Sequence, residues 1–252
     1  MAGHNKWSKV KHRKAVVDKR RSKAWTMCSR AIMSAARQHG PDPAFNFALR
    51  QALDDARYHN VPADNVERAI KKGVGGGVGD DYENCRYEGY GPGGVAVIVE
   101  AFTNNRARTA GEVRNIFGDY GGKLGITGCV AHQFEHKGRI TITGAAQDED
   151  RLMESALNAG ALDVVRTDDE TPTWDVFTPP ADFLTIRAAL TAAKFSITEA
   201  ELEMIPTSTT AISGEPAKEL LKLVDEMEDN EDVKKVYTNA DIPEAELAAM
   251  DD

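Results

Sequence analysis

Residues 73–79 read GVGGGVG. Five glycines in seven residues leave the backbone too free for a regular helix or strand, so a flexible connection is expected there. The segment also marks a change of electrostatic sign. Residues 1–72 carry 16 Lys and Arg against 6 Asp and Glu, a net of +10. The remainder carries 15 against 34, a net of −19. The net charge of −9 for all 252 residues therefore conceals a cationic head on an anionic body. Such asymmetry within one chain points to a polyanionic partner for the basic part.

The head begins with MAGHNKWSKVKHRKAVVDKR, dense in positive charge and poor in apolar periodicity. Residues 1–20 are expected to form an arm that orders on binding. The candidate nucleic-acid-binding residues are Lys6, Trp7, Lys9, Lys11, His12, Arg13, Lys14, Lys19, Arg20, Arg21 and Lys23. Lys and Arg neutralise phosphates and release counterions, and an exposed Trp stacks on an unpaired base. Two further groups, Arg68, Lys71, Lys72 and Arg106, Arg108, Arg114, either extend this surface or are ordinary exposed helix charges.

From Ser22 the pattern turns helical, with Trp25, Cys28, Ile32 and Ala36, or Met27, Ala31 and Ala35, at spacings of three and four. Gly40-Pro41-Asp42-Pro43 breaks that helix. A second helix carries Phe45, Leu49, Leu53 and Ala56 on one stripe, and Asn60-Val61-Pro62 opens a third with Val66 and Ile70 inward. Each helix is too short to be stable alone, so the three are expected to pack together. Residues 1–23 add little to this core, and their removal is expected to leave the fold nearly intact while abolishing most nucleic-acid affinity.

Beyond the glycines the periods alternate. Strands are expected at 84–90 and 95–102, the latter reading VAVIVEAF, followed by a helix capped by Asn104 or Asn105 and closed by Gly121-Gly122. A strand at 129–135 leads through Glu135-His136-Lys137-Gly138 into a strand at 139–143. A helix at 148–159, strands near 162–167 and 173–178, a helix at 180–193 and a strand at 195–204 follow. A strand at 208–212, a helix at 215–228 and a strand at 232–238 end the series. Residues 139–204 thus read βαββαβ, the split-βαβ, ferredoxin-like order. The expected fold is α+β with three domains. Residues 1–79 form the arm, helical domain and hinge. Residues 80–136 with 205–240 form a discontinuous α/β domain, and 137–204 form an inserted ferredoxin-like domain. Residues 241–252 form an acidic tail.

Chemistry-bearing motifs are few. Gly89-Tyr90-Gly91-Pro92-Gly93-Gly94 fits G-x-G-x-x-G, but a strand follows it where a dinucleotide site needs a helix, and Pro92 lacks an amide proton. A turn between strands is the better reading, with close approach to a nucleic-acid backbone the alternative. His132 and His136 have the spacing of a helical metal pair but fall on an expected strand, where four residues span roughly 13 Å. No catalytic residue, metal site, cofactor or small-molecule substrate is assigned. Cys28, Cys85 and Cys129 are too scattered for a disulfide framework and suit a reducing cytoplasm. No apolar run spans a bilayer, and no apolar stretch follows the basic N-terminus as a secretory signal requires. A cytoplasmic monomer without membrane contact is expected.

Several long segments resemble one family. MAGHNKWSKVKHRK, NVPADNVERAIKKG, YEGYGPGGVAVIVE, TNNRARTAGEVRNIF and VYTNADIP are similar to segments of the YebC family, and the resemblance runs from Met1 to Pro243. It implies a helical head and two α/β domains, the middle one discontinuous. It implies a non-enzymatic, DNA-binding transcriptional regulator. The alternative it implies is a ribosome- or RNA-associated factor that activates or un-stalls translation. The first helix, AWTMCSRAIMSAARQHG, is more polar than is usual in that family, and QHGPDPAFN replaces a more glycine-rich turn.

Overall fold

A computed structural model describes residues 14–75, 81–144, 148–168, 171–243 and 246–247, with side chains in the first helix described from Arg21 onward. Lys6, Trp7, Lys9, Lys11, His12 and Arg13 lie outside these residues, as do most of the glycine segment and most of the acidic tail.

The head is three helices, α1 (Lys14–His39), α2 (Phe47–Tyr58) and α3 (Ala63–Val74). Helix α1 starts eight residues before the expected Ser22, so Lys14, Lys19, Arg20, Arg21 and Lys23 are helical and not part of an extended arm. Lys, Arg and Ala are good helix formers, and a missing apolar period does not exclude a helix. Removing residues through 23 would therefore cut into α1. Cys28, Ile32, Ala35 and Ala36 of α1 pack with Leu49, Ala52 and Ala56 of α2 and Ala69 of α3 into one core. Burying Ile32 and Leu49 contributes about 1.5–3 kcal/mol each.

Asn46 ties the first two helices together. Its side chain accepts from the Leu49 amide at 2.9 Å and donates to the Ala35 and Gly40 carbonyls at 2.8 Å each. Because the cap falls at Asn46, Phe45 precedes the helix and leaves the expected stripe; it is 89% exposed. Gly73, expected in the hinge, is buried inside α3. A Cβ there would lie 2.6 Å from the Met33 carbonyl oxygen, so this glycine permits close packing of α3 on α1.

The middle domain carries the sheet β3-β1-β2-β9, from β1 (Glu83–Tyr90), β2 (Ala96–Thr103), β3 (Lys123–Leu124) and β9 (Val233–Thr238), with every neighbouring pair antiparallel. Strand β2 is the apolar run: Ala96 to Val99 are fully buried, as befits a central strand. The glycine turn before it, Gly91–Gly94, leads into a strand and packs toward helix α7 (Gly214–Asp229). A Cβ on Gly93 would lie 2.8 Å from Ile212 and one on Gly91 3.0 Å from Leu220. Helix α4 (Arg106–Asp119) is capped by Asn105, whose side chain accepts from the Arg108 amide.

The second sheet, β5-β6-β4-β7, is built from β4 (Phe134–Thr143), β5 (Asp163–Asp168), β6 (Thr173–Thr178) and β7 (Ser196–Pro206). With helices α5 (Glu149–Asn158) and α6 (Phe183–Ala192) in chain order βαββαβ, this antiparallel order is ferredoxin-like. Ile140, Ile142, Leu152, Trp174, Val176, Ile186 and Leu190 form its core. The molecule is thus α+β, with a helical N-terminal domain, a discontinuous α/β domain and a ferredoxin-like domain. Ala131–Ala211 with Asn239–Asp241 make one compact unit. The helical head and the β3-β1-β2-β9 sheet belong to another.

Two expected strands differ. The strands at 129–135 and 139–143 are one continuous β4, preceded by a short 3-10 turn (Ala131–Gln133), so Glu135-His136-Lys137-Gly138 is strand and not a connection. Strand β8 (Thr210–Ala211) is only two residues long and pairs in parallel with β10 (Ala240–Asp241), outside the four-stranded sheets. Gly138 misled because glycine in a strand can mark close approach as well as a turn. A Cβ there would overlap Thr178 Oγ1 and the Phe183 ring. Gly138→Ala is therefore expected to cost about 2 kcal/mol through overpacking, read as a lower urea midpoint at unchanged m-value.

Candidate nucleic-acid interface

The described candidate cations fall on three helices, and their chemical states differ. On α1, Arg21 is exposed, with its guanidinium 5.9 Å from the centre of the Trp25 ring. That ring's indole N–H donates to the His59 carbonyl at 2.9 Å, which fixes it against the α2–α3 junction. Lys23 points at the body: its ammonium donates to the carbonyl oxygens of Glu228 and, at 2.9 Å, of Asn230.

On α3, Arg68 bonds its own helix, donating to the Asp64 carbonyl at 3.1 Å and to the Asn65 side chain. Lys71 pairs with Glu67 at 2.7 Å, and this contact holds the Glu67 carboxyl below its usual range. Both are exposed surface contacts worth little to stability. Lys72 is exposed and makes no ion pair among the described residues. It lines a cleft of about 460 Å³ with Ser22, Trp25, Arg30 and Tyr82. The last turn of α3 lies beside Met33 and Ala36 in the C-terminal half of α1, and the Lys72 side chain borders a cleft shared with Ser22 to Arg30.

On α4, Arg106 and Arg114 are exposed and make no ion pair among the described residues. Arg108 is exposed but tied to the body by an ion pair. It donates to Asp232 Oδ2 at 2.6 Å and lies 3.8 Å from Glu112. Asp232 is 3% exposed and is the hub of this region. Its carboxylate also accepts from Thr103 at 2.9 Å, Thr109 at 2.8 Å and Arg30 at 3.2 Å. Burial alone would push the Asp232 carboxyl up, but hydrogen bonds from Arg108, Thr109 and Thr103 outweigh it and hold the group below its usual range. Arg30 continues the network, with its guanidinium 5.3 Å over Tyr82, which itself stacks on Phe102 at 5.2 Å.

Arg30, Tyr82, Glu231 and Asp232 are therefore structural determinants that sequence reading did not single out. A signal was present: Lys23, Arg30 and Arg37 recur every seven residues. Phe45 and Phe47, 89% and 70% exposed, add an aromatic surface at the α1–α2 turn, with Arg50 5.6 Å over Phe47. The thiols offer little as nucleophiles; burial and then nearby Asp55 push Cys28 up to about 11, leaving it protonated near neutrality. Among the described residues, no three His, Cys, Asp or Glu stand together as a metal site. No described helix is long and apolar enough to cross a membrane.

Comparison with known proteins gives full-length similarity. Residues 5–76 match the TACO1/YebC protein N-terminal domain, and residues 82–240 match the TACO1/YebC second and third domain. A protein of Trichlorobacter lovleyi named "Probable transcriptional regulatory protein" is 48% identical, over 99% of this chain and 100% of its own length. One of the same name from Pseudomonas paraeruginosa is also 48% identical with the same coverage. A crystal structure of a conserved hypothetical protein from Aquifex aeolicus superposes with a TM-score of 0.76 at 41% identity, covering 93% of this chain and 96% of that one.

Because the folded-state value of Asp232 is lowered, its stabilising effect is full above the ordinary carboxylate range, about pH 4, and is lost as pH falls through the folded value. Asp232→Asn leaves Arg30 and Arg108 facing a neutral amide. It is expected to cost about 3 kcal/mol at neutral pH and to flatten the acid limb of the stability profile, measured by urea unfolding from pH 7 to pH 2.

Proposed function

The chain belongs to the TACO1/YebC family, and from that premise we propose that it is a regulator of gene expression that binds DNA through its basic head. The observation that carries this reading is the separation of charge, +10 over residues 1–72 against −19 over the rest. The cations supply sequence-independent affinity by displacing counterions, while the acidic body repels phosphate and limits indiscriminate coating. The interface comprises the candidate arm residues, Arg21 and Lys72, extended by Arg68 and Lys71, whose surface contacts are weak enough to exchange for phosphate. Arg106 and Arg114 remain available on α4. Arg108 and Lys23 are committed within the molecule in this state. The names of the relatives support a role in transcription. In this reading the protein acts in the cytoplasm and without catalysis.

A second reading, an RNA- or ribosome-associated translation factor, is favoured by the exposed Phe45 and Phe47, since unpaired bases stack on such rings. Crosslinking in cells separates the two: enriched promoter DNA supports the first, and ribosomal RNA without any enriched promoter replaces it with the second. Either way, deleting residues 1–13 removes Lys6, Lys9, Lys11 and Arg13 and spares α1. Affinity for the recovered nucleic acid is expected to fall about 10-fold or more, and the salt slope by about 0.9 for each phosphate that is no longer neutralised. Undiminished affinity in the truncated protein would remove the arm from the interface.

A further inference from the structure

Lys23, Arg30 and Arg37 occupy one stripe of α1. Seven residues are nearly two helical turns, so successive members drift by only about 20° and lie about 10 Å apart. Cys28, Ile32 and Ala35, which enter the head's own core, lie on the opposite side of the helix. That apolar cluster contains head residues alone. The head thus completes its core without the stripe, which meets oxygen atoms of the body.

Those oxygens form a consistent set. Lys23 binds the Glu228 and Asn230 carbonyls at the C-terminal end of α7, where the helix dipole places partial negative charge. Arg30 donates to the Glu231 carbonyl at 2.8 Å and pairs with Asp232 at 3.2 Å and Glu231 at 3.4 Å. Arg37 Nη1 lies 3.8 Å from Asp81, yet it is buried without a hydrogen-bond partner among the described residues. Carbonyl and carboxylate oxygens facing regularly spaced cations offer them acceptors of the kind that a phosphodiester backbone also presents.

We infer that Lys23, Arg30 and Arg37 form a second phosphate-binding face of the head, covered in this state by the body's own acceptors, so that nucleic acid and body compete for it. The inference rests on the nucleic-acid reading above and adds its regulation. Docking leaves the buried Arg37 donor unsatisfied, and a phosphate oxygen would satisfy it. Departure of Arg30 does not strand Asp232, because Arg108, Thr103 and Thr109 continue to hold that carboxylate. Gly75, Gly76, Gly77 and Gly79 give the connecting sequence a composition compatible with the head leaving.

The test titrates full-length protein with two fluorescent probes, a duplex DNA and an RNA hairpin, over a range of salt. Asp81→Asn/Glu231→Gln weakens the body's side of the contact through two exposed carboxylates and alters no proposed phosphate ligand. Affinity for the probe that wild type binds is expected to rise about 3-fold or more, as the competent population grows. The salt dependence should steepen as more phosphates are neutralised. Asp119→Asn/Glu215→Gln makes the same change in net charge elsewhere and should leave affinity unchanged. Arg37→Gln, checked for an unaltered thermal midpoint, should weaken binding several-fold; a purely structural stripe would leave it unchanged or tighter. Equal gains in both carboxylate pairs, or no gain in the first, overturn the competition while the nucleic-acid reading stands. Binding of neither probe by any variant overturns both.

Discussion

A single buried carboxylate, Asp232, holds the second compact unit together. It receives bonds from the end of β2 through Thr103, from the start of α4 through Arg108 and Thr109, and from the head through Arg30. Its backbone carbonyl accepts from Phe102, so the same residue registers β9 against β2. A charge taken this far out of water is tolerable only when its acceptor sites are filled, and here two guanidiniums and two hydroxyls fill them. Tyr82, the first aromatic after the glycine segment, is fixed beside this cluster between Arg30 and Phe102. Where the chain enters the middle domain, where β9 begins and where the head docks are thus decided at one place.

This arrangement changes what the basic head means. Cations on a bare tail would be a uniform electrostatic footprint. In the folded protein they divide into those turned to solvent, such as Arg21 and Lys72, and those turned to the body, such as Lys23, Arg30 and Arg37. An acidic body attached to a basic head does more than repel stray polyanions; it is itself the nearest polyanion the head can find.

Much of this was legible in the residues. The 3.6-residue period marked α1 to α3, Asn104 or Asn105 and the Gly40-Pro41-Asp42-Pro43 break marked helix ends, and VAVIVEAF marked the central strand. The βαββαβ order marked the ferredoxin-like domain. What escaped notice had physical reasons. Gly73 and Gly138 look like chain breakers, yet each serves a close contact visible only once α1, or Thr178 and Phe183, are in place. The Lys14 to Arg21 segment has no apolar period in its sequence, so its helical state was hidden by its charge. Asp232 is one acid among 40 acidic residues, and nothing in its neighbours marks it as the one that meets Arg30, 202 residues earlier.

The pairing of β2 with β9 has a consequence for the order of events during synthesis. Val97 pairs with Thr238, and Asp232, which closes the joint to the head, also emerges late. The β4–β7 sheet lies wholly within the intervening chain and can form while the far edge of β2 is still bare. Until residues 233–238 leave the ribosome, a strongly apolar strand edge has no partner, a situation that favours slow closure and exposes the nascent chain to edge-to-edge association.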